Sequence, residues 1–225
     1  MDIELKDIML SKTSSINPAK FKDQTFELLS IPAFDAGRPE IIKGAKIGSS
    51  KKELQIGDVV ISRIIPHIRR VGIVTAGKHK QIGSGEWVIF RGDNFVPQYL
   101  RHFLLTDYFH AQFMATVAGV GGSLVRARPD GIKKIKLSLP PLKEQKRIAA
   151  ILDQAEELKQ KRQRSLDLLA ELKQSIFQEV FFNSKQRTTQ RAKLGDVISL
   201  RSSQVDPKVE PYASMPHVGP AHIKA

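Results

Sequence analysis

Three short stretches of this sequence gather side chains suited to binding a polyanion. Arg63, His67, Arg69 and Arg70 crowd the first, Lys78, His79 and Lys80 the second, and Arg126 and Arg128 flank a Gly-rich turn, Ala118-Gly119-Val120-Gly121-Gly122-Ser123. A DNA-binding surface needs cations to neutralise phosphates and side chains that reach base edges. Arginine can pair bidentately with guanine, so the arginines suit base readout, whereas Lys78 and Lys80 suit phosphate contact. The competing reading of each cluster is a solvated loop surface.

Catalytic chemistry finds less support. An adenine methyltransferase would carry an Asp/Asn-Pro-Pro-aromatic loop, but the only Pro-Pro pair is Leu139-Pro140-Pro141-Leu142. A carboxylate nuclease needs clustered acids to hold Mg²⁺; Asp130 ahead of Lys133 and Lys134 has no second acid nearby. The six histidines, His67, His79, His102 and His110 among them, show no ligand spacing, and there is no cysteine. A phosphate cradle would need a strand before the Gly-rich turn and a helix after it, yet a helical pattern precedes it and Leu124-Val125-Arg126 reads as extended. The sequence therefore predicts a noncatalytic chain with no metal and no cofactor.

The loops need a scaffold. Phe26–Ile31, Asp58–Ile61, Val71–Thr75, Glu86–Phe90 and Ile135–Leu139 read as strands, and Pro97–Ala115 as one helix with Leu100, Phe103, Leu104, Tyr108 and Phe113 recurring on it. The expected fold is mixed α+β, a strand-rich domain over residues 1–138. At 41% hydrophobic and 26% charged residues the chain is globular. No apolar run is long enough to span a bilayer, which predicts a soluble, cytoplasmic protein with no membrane partner. Of the net charge of +13, residues 1–140 carry the most, with 21 Lys and Arg against 13 Asp and Glu. That domain is the expected polyanion binder.

A long helix follows, over residues 139–184. Pro140 and Pro141 suit a first turn, Glu144 complements the dipole, and Asn183 suits a C-cap. Ile148, Leu152, Ala155, Leu166, Leu169, Leu172, Ile176 and Val180 form the expected partner interface, along with Ile151 and Leu158, mostly at steps of three and four. Roughly 40 residues make a rod of about 60 Å, longer than a domain of this size needs for its own core. Lys159, Lys161, Arg162 and Arg164 interrupt the apolar seam, as a register-setting polar layer or a solvated face would. Residues 185–193 read as a linker.

Residues 194–225 restate the start of the chain. Leu5, Asp7, Ile8, Ser14, Ile16, Asn17 and Pro18 align with Leu194, Asp196, Val197, Ser203, Val205, Asp206 and Pro207 at a constant offset of 189. Ser30-Ile31-Pro32 resembles Ser214-Met215-Pro216 after a short gap. The expectation is one whole unit followed by the opening of a second.

The block LPPLKEQKRIAAILD, Leu139 to Asp153, preceded by GDVVISRIIPHIRRVGIV and GEWVIFRGDNFVPQYLRHFLL, resembles the specificity subunit of type I restriction-modification systems. The resemblance spans nearly the whole chain. It implies a target recognition domain that reads double-stranded DNA, and a conserved spacer helix that pairs antiparallel as a coiled coil. It also implies methyltransferase subunits docked on the helices, restriction subunits recruited through them, and adenine methylation and DNA cleavage by the assembled complex rather than by this chain. One complete domain and one helix imply a dimer, with a second copy joined through the helix and an inverted-repeat target. The alternative is a basic helical adaptor that binds nucleic acid nonspecifically.

Overall fold

The computed structural model describes residues 2–10, 13–118, 125–183, 192–199, 206 and 208–216. It divides into two compact units, Met1–Leu166 and Asp167–Ala225. Along the first run the strands β1 (Asp2–Glu4), β2 (Ser15–Ile16), β3 (Thr25–Leu29), β4 (Glu40–Lys43), β5 (Lys51–Glu53), β6 (Val59–Ser62), β7 (Val71–Ile73), β8 (Lys80–Gly83), β9 (Trp87–Phe90), β10 (Val117–Ala118), β11 (Arg126–Ala127) and β12 (Lys136–Ser138). Its helices are α1 (Ile31–Asp35), α2 (Pro97–Leu105), α3 (Asp107–Ala115), α4 (Pro129–Ile132) and the start of α5 (Leu142–Gln178). The architecture is the expected one, a strand-rich mixed domain followed by a long helix.

A three-stranded antiparallel sheet, in the order β7-β6-β9, lies at the centre of the core. All four residues of β6 and all four of β9 are buried. Period-two alternation then sends each strand's side chains to two different cores. Val59, Ile61, Val88 and Phe90 pack with Leu100, Leu104, Phe109 and Phe113 of α2 and α3. Val60, Trp87 and Ile89 pack with Leu54 and Val74, against which Leu29, Ile31 and Phe34 lie. A mixed five-stranded sheet, in the order β2-β5-β8-β3-β4, carries its own small core of Ile16, Phe26, Leu28, Ile47 and Ile82. The Trp87 indole donates to the Leu29 carbonyl at 2.7 Å, tying β9 to β3.

The single helix expected over Pro97–Ala115 is two helices. Thr106 adopts an extended backbone and caps α3, its hydroxyl accepting from the Phe109 N–H at 3.2 Å while donating to the Phe103 carbonyl at 2.7 Å. A threonine that caps one helix while satisfying the end of the previous one breaks a pattern whose apolar spacing alone reads as continuous. Phe109 and Phe113 are thereby turned onto the sheet.

Helix α5 begins just after the two prolines, the Pro141 carbonyl accepting from the N–H groups of Glu144 and Gln145. Buried Gln145 accepts from the Val96 N–H at 2.8 Å and donates to the Pro140 carbonyl at 2.8 Å, so one amide joins the helix start to the start of α2. Tyr99 reaches the Ser138 carbonyl, and His102 of α2 meets Asp153 at 2.7 Å. These contacts hold the first turns of α5 in the same unit as the sheets. In the second unit α5 continues to Gln178 and closes in a wider turn, Glu179–Asn183, followed by α6 (Leu194–Val197). The expected linker at 185–193 lies largely outside the described residues, as do Ser203, Val205 and Pro207 of the internal repeat.

One polar knot fixes the loop ahead of β8. Buried Glu27 accepts from the N–H groups of Lys78 at 2.7 Å and His79 at 3.2 Å, and from the Gln81 amide at 3.2 Å. A side chain at Gly77 would place its Cβ 1.8 Å from the Glu27 carboxylate, so a larger residue there would have to push that carboxylate off its donors. Burial opposes ionisation of Glu27, but donors from Lys78, Gln81 and His79 outweigh it and hold the pKa below the usual glutamate value. A pKa depressed in the folded state contributes stability above the unfolded value of about 4.3, and that stability is lost as pH falls through the folded pKa. Glu27→Gln should therefore lower unfolding free energy by about 1–3 kcal/mol at pH 7. Urea titrations should show the difference from the unmutated chain shrinking below about pH 4.

Candidate nucleic-acid interface

The antiparallel register of β6 with β9 pairs Ser62 with Trp87, which carries the next residue, Arg63, opposite Glu86. The Arg63 N–H donates to the Glu86 carbonyl at 3.0 Å. Beyond it the chain meets the stem of the Gly-rich turn: Ile64 bridges Arg126, the Ile65 N–H donates to the Val125 carbonyl at 3.1 Å, and the Ala127 N–H to the Arg63 carbonyl at 2.9 Å. The turn from Gly119 to Leu124 lies outside the described residues, but its stems β10 and β11 pair antiparallel. Two of the three loops nominated by the sequence are thus one surface. The third, at Lys78–Lys80, is built separately around Glu27.

At the junction one carboxylate holds two guanidiniums. Arg63 Nε lies 3.0 Å from Glu86 Oε2, and Arg126 Nε lies 3.1 and 3.3 Å from Oε1 and Oε2. Lys52 of β5 lies beside them and donates to the Trp87 carbonyl at 2.7 Å. Burial lowers the Lys52 pKa, the Arg63 charge lowers it further, and Glu86 opposes both. Among the described residues, Glu86 pairs with two arginines and its charge also acts on Lys52. Lys52 and Glu86 join the candidate site though the sequence does not single them out; the signal for Glu86 lies in the pairing of β6 with β9, which are not consecutive strands.

The remaining cations divide by what holds them. Arg69 donates to the Leu105 carbonyl at 3.1 Å and pairs with exposed Asp107 at 2.6 Å. Such a surface pair is worth about 0–1 kcal/mol, so a phosphate can compete for it. His67 and Arg128 are exposed; Lys78 is exposed; Lys80 pairs with Glu53 across β5 and β8. Between these residues Ile65 takes a left-handed backbone at φ 49°, uncommon for a β-branched residue. It reverses the chain so that Pro66 is buried while His67, Ile68 and Arg69 face outward.

Arg70 belongs to the scaffold in this structure. It is 8% exposed and grips Asp35, the last residue of α1, with two bonds of 2.7 and 2.9 Å. The expectation that it faces DNA beside Arg69 does not match this placement: Arg70 continues the β6–β7 pairing, its carbonyl accepting from the Ser62 N–H at 3.0 Å, whereas Arg69 lies in the exposed loop before it. The Arg70 guanidinium in turn holds the Asp35 carboxyl below its usual range.

The chain thus combines a basic, strand-rich domain whose loops gather arginines with a long helix that exposes apolar side chains. The model of the type I restriction modification DNA specificity domain matches residues 1–168 of the 225. The chain belongs to this family. Over 77 residues it is 36% identical to the putative type I restriction enzyme specificity subunit S.HindORF215P of Haemophilus influenzae, a match covering 33% of this chain and 20% of that protein. The fold is that of the crystal structure of the HsdS subunit from Thermoanaerobacter tengcongensis, with a TM-score of 0.61 at 22% identity over 85% of this chain and 51% of that one. A chain from a structure addressing complex assembly and conformational transition of the type I R-M system gives a TM-score of 0.65 at 23% identity, covering 88% and 54%. The chain spans about half the length of these structural relatives.

The two neighbouring arginines should separate cleanly in solution. Arg70→Ala removes a bidentate, charge-assisted pair from a buried position and should lower unfolding free energy by about 1–3 kcal/mol. Arg69→Ala, which breaks only an exposed pair, should cost less than about 1 kcal/mol. Urea unfolding of both variants checks the assignment, and equal losses would overturn it.

Proposed function

We propose that this chain is the sequence-reading subunit of a type I restriction-modification complex, directing adenine methylation by a partner methyltransferase and restriction by further subunits. The observation that carries the reading is the joining of the Arg63–Arg69 loop to the Arg126–Arg128 stem as one cationic surface. Arg63, Arg69, Arg126 and Arg128, with His67, face base edges in this reading, and Lys52, Lys78 and Lys80 face phosphates. The chain carries specificity and its partners carry catalysis.

Helix α5 is the proposed docking element. Leu152, Leu166, Leu169, Leu172 and Ile176 are exposed along it, Leu166 and Leu169 at 60%, and Val180 in the turn that closes it; Ala155 is exposed too, while Ile148 is half-buried in its own unit. Apolar side chains repeated along a helix at this exposure favour a partner helix. A second copy, paired antiparallel as a coiled coil, together with a methyltransferase, fits that stripe. A second copy brings an identical domain, and identical domains read identical half-sites, which makes the target an inverted repeat with an unread spacer.

Mapping genomic methylation in cells with and without this chain, supplied with its methyltransferase, tests the function. One bipartite motif should appear only when the chain is present. No dependent motif overturns the reading, and a nonpalindromic motif overturns the paired-copy part alone. Leu169→Asp should weaken assembly by at least about tenfold, since burying one leucine is worth about 1.5–3 kcal/mol. Sedimentation showing the unmutated chain as a folded monomer that binds no methyltransferase would overturn the docking role.

A further inference from the structure

We propose that Glu86 is a positioning residue for sequence readout, holding Arg63 and Arg126 as one unit so that two loops read together. This role rests on the DNA-reading function proposed above. Both arginines meet Glu86 through Nε: Arg126 donates to both carboxylate oxygens, which directs its guanidinium, and Arg63 forms an ion pair with the same carboxylate at 3.0 Å, which keeps its charge beside them. The carboxylate is itself placed by the backbone, since the Glu86 N–H donates to the Ser84 hydroxyl at 3.2 Å and its carbonyl accepts from Arg63. A guanidinium locked before binding loses less conformational freedom on reaching a base edge.

The same carboxylate has an electrostatic consequence. Lys52, Arg63 and Arg126 would present three positive charges to any phosphate, and Glu86 offsets one of them where its side chain is only 23% exposed and poorly screened. Attraction for phosphates does not distinguish sequence, whereas directed arginines do. Glu86 therefore lowers affinity for random DNA while raising affinity for the correct site. Removing it has effects of opposite sign on the two, which a purely structural residue does not.

The test measures binding of the full chain, with its methyltransferase, to a short duplex carrying the methylated motif and to a scrambled duplex of the same composition. Glu86→Gln keeps size but loses the charge and one acceptor. It should bind the motif at least about fivefold more weakly, the lower end for one bidentate base contact. It should bind the scrambled duplex severalfold more tightly, with a steeper salt dependence. Glu86→Asp restores the charge without the reach, so scrambled binding should return to the unmutated value while motif binding stays weak. Arg63→Gln and Arg126→Gln, which leave Glu86 in place, should cost less together than the product of their separate fold-losses. If Glu86→Gln shifts both duplexes in the same direction, or the two arginine losses multiply independently, the role is overturned. An unmutated chain that binds both duplexes alike overturns the DNA-reading function itself.

Discussion

The pairing of Val59–Ser62 with Trp87–Phe90 is the constraint on which the arginine cluster depends. Both strands are buried on both faces, so a slip of one residue would exchange the side chains of two differently shaped cores. Trp87, fully buried and bonded through its indole to Leu29, fits only one of them. Register is thereby fixed by packing, and register alone carries Arg63 to Glu86. The buried Asp58–Arg91 pair, with bonds of 2.6 and 2.7 Å, clasps the far end of the same two strands. An ion pair of this kind adds little net stability but penalises misregistered alternatives, which leave a buried carboxylate unpaired.

Much of this was legible in the chain. The strands at Phe26, Val59, Val71, Trp87 and Lys136 lie within a residue or two of their expected positions, because apolar runs bounded by glycine and asparagine leave few other readings. The two- and three-residue strands at Ser15, Lys51, Val117 and Arg126 carry no such signal. They are strands only because a neighbour supplies their hydrogen bonds. Thr106 shows the converse, since its capping role was present in the sequence but outweighed by the apolar spacing on either side.

The cationic residues were legible as members of loops, and their arrangement was not. Arg69 and Arg70 are the same residue type side by side, yet Arg70 joins the backbone pairing with β6 and grips Asp35 while Arg69 stays in the exposed loop. Arg63 and Arg126 stand far apart in sequence and share one carboxylate through the pairing of nonconsecutive strands, which no local pattern encodes. Lys52 joins them from a separate sheet. Cationic residues can be counted from sequence; which of them converge is a property of topology.

Several nominated cations meet a carboxylate: Arg63 and Arg126 meet Glu86, Arg69 meets Asp107, Arg70 meets Asp35 and Lys80 meets Glu53. The partners differ in exposure, from nearly fully exposed Asp107 to half-buried Glu86. Exposure sets how readily each cation can exchange its carboxylate for a phosphate, because a solvated acid regains water when released while a half-buried one stays desolvated. Arg69 can therefore exchange at little cost, whereas Arg63 and Arg126 favour binding modes that keep Glu86 paired. One residue type is thus held in two ways on the same surface, by a solvated carboxylate that releases it at little cost and by a half-buried one that does not.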